Sequence, residues 1–249
     1  TYAVIDGFRP EDHASRWKGD VGGPALAEPP ASEIDRWIIS ELNGLVAEVT
    51  EAFEAYNPTE AGRRVEEFVD RLSNWYVRRS RRRFWKSEND EDKASAYVTL
   101  YSCLMTLCRL MAPMTPFVAD AMYVNLAPEG APDSVHLADW PKADAALANE
   151  DLEAVARLAM RIASLGRAAR SKNGIKVRQP LARVLVQTRP GEEAMLASVE
   201  SQVIDELRML ADRVRHLRLQ HINSTSVGGG VAEILTRMVP LLHDLGIDT

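Results

Sequence analysis

The stretch from Ser32 to Tyr76 constrains this chain most. Ile34, Trp37, Ile38, Leu42, Leu45, Val46, Val49 and Phe53 recur at intervals of three and four, the apolar stripe of a helix packed on one face. Asn57-Pro58-Thr59-Glu60 follows at once, offering an N-cap, a proline for the first helical position and a capping-box glutamate. The stripe then resumes through Ala61, Val65, Phe68, Val69, Leu72, Trp75 and Tyr76. Two amphipathic helices with so short a connection should form an antiparallel hairpin.

A third helix, about Glu91 to Met111, is apolar at Tyr97, Leu100, Tyr101, Leu104, Leu107, Cys108 and Met111, and Pro113 ends it. Thr115-Pro116 opens a fourth that carries Phe117, Val118, Ala121, Met122 and Leu126 and stops before Pro128. The fold expected is mainly α: a helical bundle over 32–141. Residues 1–31, rich in glycine and proline, read as an extended connector, and the Pro- and Asp-rich passage 127–148 marks a domain boundary. A linking helix and turn occupy 142–180, with the helix at about Glu150 to Ser171 and Asn173-Gly174 as its C-terminal stop. The period then changes to two: Ala182, Val184 and Val186 suggest a strand, followed by a helix near Glu192 to Leu210 and a weaker strand near Val214 to Leu219. Residues 181–249 are therefore expected to be a small α/β (β-α-β) junction domain, with a C-terminal helix after Gly228-Gly229-Gly230.

Charge is unevenly spread. The formal net charge is −6, which by itself argues weakly against nucleic acid. Yet seven bases and no acid lie between Arg71 and Ser87, and nine bases and no acid between Ala154 and Pro190. The rest of the chain is strongly acidic. Such segregation fits a basic surface turned toward a polyanion, with acidic surface elsewhere; the plainer alternative is two solvated faces. No run approaches the roughly 18 uninterrupted apolar residues of a spanning helix, and no basic-then-apolar leader opens the chain, so it reads as soluble, unsecreted and without a membrane partner. Cys103 and Cys108, five apart on one helix, diverge beyond disulfide reach and read as buried thiols.

Catalytic signatures are missing. There is no G-x-x-x-x-G-K-[ST], G-x-G-x-x-G, H-E-x-x-H or G-x-S-x-G, and the five histidines share no ligand spacing. No catalytic residue, metal site or cofactor is expected in these residues.

The most informative passage is Asn74-Trp75-Tyr76-Val77-Arg78-Arg79-Ser80-Arg81-Arg82-Arg83-Phe84-Trp85. Its apolar stripe faces the bundle up to Tyr76, but Arg79 and Arg83, next in register, are charged. A buried unpaired guanidinium is too costly, so the helix must either project past its partners or meet acids there. In the first case Arg78, Arg79, Arg81, Arg82 and Arg83 deliver forked donors to phosphates and bases beside Trp85, a stacking face. In the second they form an internal network with the acidic first helix, which holds Glu33, Asp35, Glu41, Glu48 and Glu51.

Trp75 to Trp85, with Ser134-Val135-His136-Leu137-Ala138-Asp139-Trp140-Pro141 and Ile175-Lys176-Val177-Arg178-Gln179-Pro180-Leu181, resembles the C-terminal, anticodon-binding part of the isoleucyl-tRNA synthetases. The resemblance covers about residues 1–220. It implies a helical bundle that positions tRNA for an ATP- and Mg-dependent catalytic domain located elsewhere in the same polypeptide. The parent is then an isoleucine–tRNA ligase, cytoplasmic and monomeric, and Lys176 and Arg178 join the arginines as RNA-binding residues. The H-x-G-H and K-M-S-K-S signatures of that family's ATP site match nothing here, and two cysteines exclude the four-cysteine zinc knuckle of some members. A chain opening on Thr1 and the apolar Tyr2-Ala3-Val4-Ile5 fits an excised piece of such a protein. The equivalent region of a valyl-tRNA synthetase, or a helical interaction module whose arginines are structural, are the alternatives.

Overall fold

The computed structural model describes residues 6–86 and 90–176, together with the isolated positions 179, 186, 187, 192, 195 and 199. The chain divides into two compact units, Thr1–Glu153 and Ala154–Thr249. The fold is mainly α. Its helices are α1 (Glu33–Glu54), α2 (Pro58–Arg71), α3 (Arg78–Lys86), α4 (Asp90–Met111), α5 (Pro116–Leu126) and α6 (Glu150–Lys172), with a π-helical turn at Leu72–Val77 between α2 and α3. Single 3-10 turns lie at Val135–Leu137 and Ala145–Leu147, and a longer 3-10 stretch at Pro10–Arg16. The expected β-α-β unit falls outside the described residues.

The hairpin forms as its pattern requires. Trp37, Ile38, Leu42, Leu45, Val46 and Val49 of α1 are buried against Ala61, Val65 and Phe68 of α2. Helix α1 is central, because it also buries Ile39 and the polar Asp35, Ser40, Glu41 and Asn43. Asn57 caps α2 by accepting from the Glu60 N–H at 3.1 Å, and Pro58 takes the first helical position. The reciprocal half of the capping box is missing: the Glu60 carboxylate turns outward to Arg63 and Arg64, both at 2.8 Å.

Helices α4 and α5 complete the bundle. By length and composition the stretch Glu91–Met111 could cross a membrane, but 72% of its apolar window is buried, as in a core helix. Both cysteines are buried and free, and burial pushes the Cys108 thiol up to about 11. Helix α5 departs from expectation. It buries Ala119 and Tyr123, while Phe117 and Val118 of the proposed stripe stand 89% and 57% exposed. The spacing of its apolar residues suits either face, and α4 takes the one with the aromatic ring whose Cβ lies one turn from Ala119.

Among the described residues the segment before α1 holds no α-helix, and it is packed. Trp17 is buried and donates its indole N–H to Ser102 Oγ at 2.6 Å. Gly22, at φ +81°, sits where a Cβ would meet the Tyr101 ring at 2.7 Å and Met105 at 2.8 Å. Asp6 pairs with Lys93 at 2.7 Å. The passage after α5 is equally anchored. Asp120 Oδ1 accepts from Ser134 Oγ at 2.6 Å and the Val135 N–H at 3.0 Å, and the Trp140 indole donates to Thr50 Oγ1 at 2.9 Å beside Phe53. Asn43 of α1 joins the two: its amide donates to Pro24 O at 3.2 Å and to Ile39 O at 2.9 Å, and its Oδ1 accepts from the Asp144 N–H at 2.7 Å. Lys18 adds an ion pair to Asp144 at 2.8 Å.

In the second unit α6 ends as read from Asn173-Gly174. Gly174 is at φ +65°, and the N–H groups of Ile175 and Gly174 reach back to Arg170 O (2.9 Å) and Ser171 O (3.2 Å), the paired bonds of a Schellman stop.

Candidate nucleic-acid interface

The π-helical turn decides where the arginines go. Phe68, Leu72, Tyr76, Ser80 and Phe84 are all buried at a constant spacing of four. In an unbroken α-helix such a row drifts, leaving Phe84 roughly 160° from Phe68. The wider turn at Leu72–Val77 takes up one extra residue and removes most of that drift. The helix therefore stays on the bundle through Phe84, whose ring packs against Tyr97 at 5.3 Å.

With the packing face held, the basic residues distribute around α3. Arg81 and Arg82 are exposed, and Arg78 and Arg79 half-buried. The Arg79 guanidinium lies over the Trp75 ring, 5.1 Å from its centroid. That of Arg81 lies 5.6 Å from the centroid of Trp85, a ring 57% exposed. Such cation–π pairs hold a flexible side chain above an aromatic face.

Arg83, read from the sequence among the RNA-facing arginines, turns instead into the bundle. Its Nη1 and Nη2 donate to Asp35 Oδ1 and Oδ2, each at 2.7 Å, and its Nε reaches both carboxylate oxygens of Asp92 at 3.0 Å. Asp35 is fully buried and also accepts from Tyr76 Oη at 2.8 Å and Ser95 Oγ at 3.1 Å. Burial works against the guanidinium charge, but the hydrogen bonds that Arg83 donates to Asp35 and then to Asp92 outweigh it and hold Arg83 above its ordinary value. Burial, and then the Asp35 charge, push the Tyr76 phenol well above its usual range, so it stays a donor. Here the internal-network alternative holds. A second base of the same acid-free run, Arg71, behaves likewise and pairs with the buried Glu41. Burial raises the Glu41 carboxyl in spite of that partner.

The other motif positions separate. Ser134 to Pro141 is the anchored passage already described, so its Val135 and Trp140 serve packing. Lys176 is exposed just past the α6 stop, its carbonyl accepting from the Arg170 guanidinium at 3.2 Å. Arg178 lies outside the described residues. Asp35, Tyr76, Ser95 and Asp92 were not singled out as site residues; the one available signal was the acidic first turn of α1. Among the described residues no group of three or more His, Cys, Asp or Glu could hold a metal ion.

Residues 35–186 match the family described as the anticodon-binding domain of tRNA ligase. Residues 221–249, a short terminal stretch, match the description of a trehalose synthase N-terminal domain. The chain is 53% identical over 85% of its length to the isoleucine–tRNA ligase of Dehalococcoides mccartyi strain 195. It is 46% identical over 74% to that of Thermobifida fusca and 45% identical over 77% to that of Thermus thermophilus. It covers 20%, 18% and 19% of those proteins, about a fifth of their length.

Proposed function

This chain belongs to the family of anticodon-binding domains of tRNA ligases, and from that membership we infer that α3 holds the anticodon stem and loop of an isoleucine-accepting tRNA. A catalytic domain of the same polypeptide would meanwhile join isoleucine to the distant end of the tRNA. ATP and Mg2+ belong to that domain, and the parent enzyme works as a cytoplasmic monomer. The names of the relatives support isoleucine over valine. The observation that carries the RNA reading is the exposed pair Arg81 and Trp85, on a helix whose opposite face is buried through Phe84. Arg78, Arg79 and Arg82 supply forked donors around them, and a base can stack on the indole. Because the helix beneath is packed on the bundle through Phe84, less backbone freedom is lost on binding than a loop would lose. Lys176 and Arg178 extend the reading to the second acid-free run.

The double change Arg81→Glu plus Arg82→Glu tests it. Both side chains are exposed, so melting should barely move. Binding of an isoleucine anticodon stem-loop should weaken at least tenfold, about 1.4 kcal/mol, and its salt dependence should become shallower. Unchanged binding would refute the role of α3 and favour the interaction-module alternative. A valine stem-loop that competes equally would remove the isoleucine assignment alone.

A further inference from the structure

Two donors to one buried carboxylate bracket the arginine row. Tyr76 and Arg83 stand seven residues apart, on the same helical face and about 10 Å apart along the axis. Both reach Asp35, Tyr76 at 2.8 Å and Arg83 by two bonds of 2.7 Å. Arg78, Arg79, Arg81 and Arg82 all fall between these anchors. Asp35 itself belongs to α1 and has no exposed surface.

We propose that Asp35 is the positioning residue of the RNA-binding surface: without reaching solvent, its carboxylate fixes the rotation of α3 and so sets the directions in which Arg78, Arg81, Arg82 and Trp85 meet RNA. The role rests on the reading of α3 as RNA-facing. Two features give the carboxylate this control. The Arg83 fork meets both oxygens of Asp35, which fixes direction as well as distance. The Tyr76 anchor lies within the π-helical turn, where the backbone is least regular and a rotation of α3 would begin. Ser95 of α4 also donates to Asp35 Oδ2 at 3.1 Å, so the anchor point is itself held by a third helix. A buried ion pair is weak evidence for stability but is well suited to specifying one arrangement.

Asp35→Asn, Tyr76→Phe and Arg83→Lys in the full chain test this, each measured for stem-loop binding across a salt series and for amide exchange by helix. Asp35→Asn should weaken binding about tenfold per folded molecule and lower the log–log salt slope by about one. Exchange in residues 78–85 should accelerate while the α1–α2 hairpin keeps its protection. Tyr76→Phe, which removes one anchor, should fall between Asp35→Asn and the native chain. Arg83→Lys keeps the charge and loses the fork, and should behave as Asp35→Asn; these two variants carry the test if Asp35→Asn does not fold. Unchanged or tighter binding by the variants overturns the proposal, since tighter binding would mean that Asp35 had been competing with phosphate for Arg83. Equal acceleration of exchange in every helix overturns it too, because that marks a purely structural residue. A native chain that leaves the stem-loop unbound sinks the RNA reading and this role with it, whereas native binding with unaltered variants sinks this role alone.

Discussion

The side chain of Asn43 uses its donors and its acceptor at once, in a site only 3% exposed. One N–H goes to its own helix, the other to Pro24, and its oxygen takes the N–H of Asp144. Alanine there leaves buried backbone groups unpaired, an omission that costs about 1–3 kcal/mol for each group. Asn43→Ala should therefore lower the melting temperature clearly while leaving stem-loop affinity per folded molecule unchanged; thermal melting and titration of one preparation check both. Arg83 teaches the complementary point. Its sequence neighbours are five cations of the same run, and its true partners lie 48 and 9 residues away. The sequence could offer Asp35 as one of several acids on α1, but only packing selects it.

At the scale of elements, what is locally encoded was legible. The α1–α2 hairpin, the Asn57 cap and the Gly174 stop each follow from residues within a turn or two of the feature. The outward face of α5 was not, because its apolar residues surround the helix and the choice of face is made by α4. Nor was the π-helical turn, whose extra residue is stabilised by the contacts on either side of it. That turn is open to a direct test. Deleting the exposed Ser73 removes the one extra residue that the turn takes up, so it should convert the turn to ordinary α-helix and leave α3 facing the bundle as before. Arg83 would then keep Asp35, a buried pair whose breaking costs roughly 3–5 kcal/mol. The expected outcome is retained helical circular dichroism with melting and stem-loop binding close to those of the native chain. A large fall in melting temperature with loss of stem-loop binding would show that the turn does more than take up one residue.

Across the whole first unit, acid should act on the connecting segments before the helices. Asp6, Glu11, Asp120 and Asp144 are all held below the ordinary carboxylate range. Their largest causes are, in turn, the hydrogen bonds from Lys93, the Glu129 N–H, Ser134 and Lys18. A depressed carboxylate contributes stability that is present above its unfolded value, near 4, and is lost as the pH falls through the lower folded value. Glu41, raised by burial, has the opposite sign: its contribution is complete below its unfolded value and fades as the pH rises through the folded one. Acidification from about pH 4 downward should thus loosen the segments around Trp17 and Trp140 first. Tryptophan fluorescence should shift at a higher pH than helical circular dichroism; coincident transitions would contradict this order. The same segments have a mechanical consequence. The chain's way into the bundle and its way out are lashed together across α1 by Lys18, Asp144 and Asn43. Tension applied between the two falls on that lashing before any helix bears load, as a pull on a tied parcel falls on the knot.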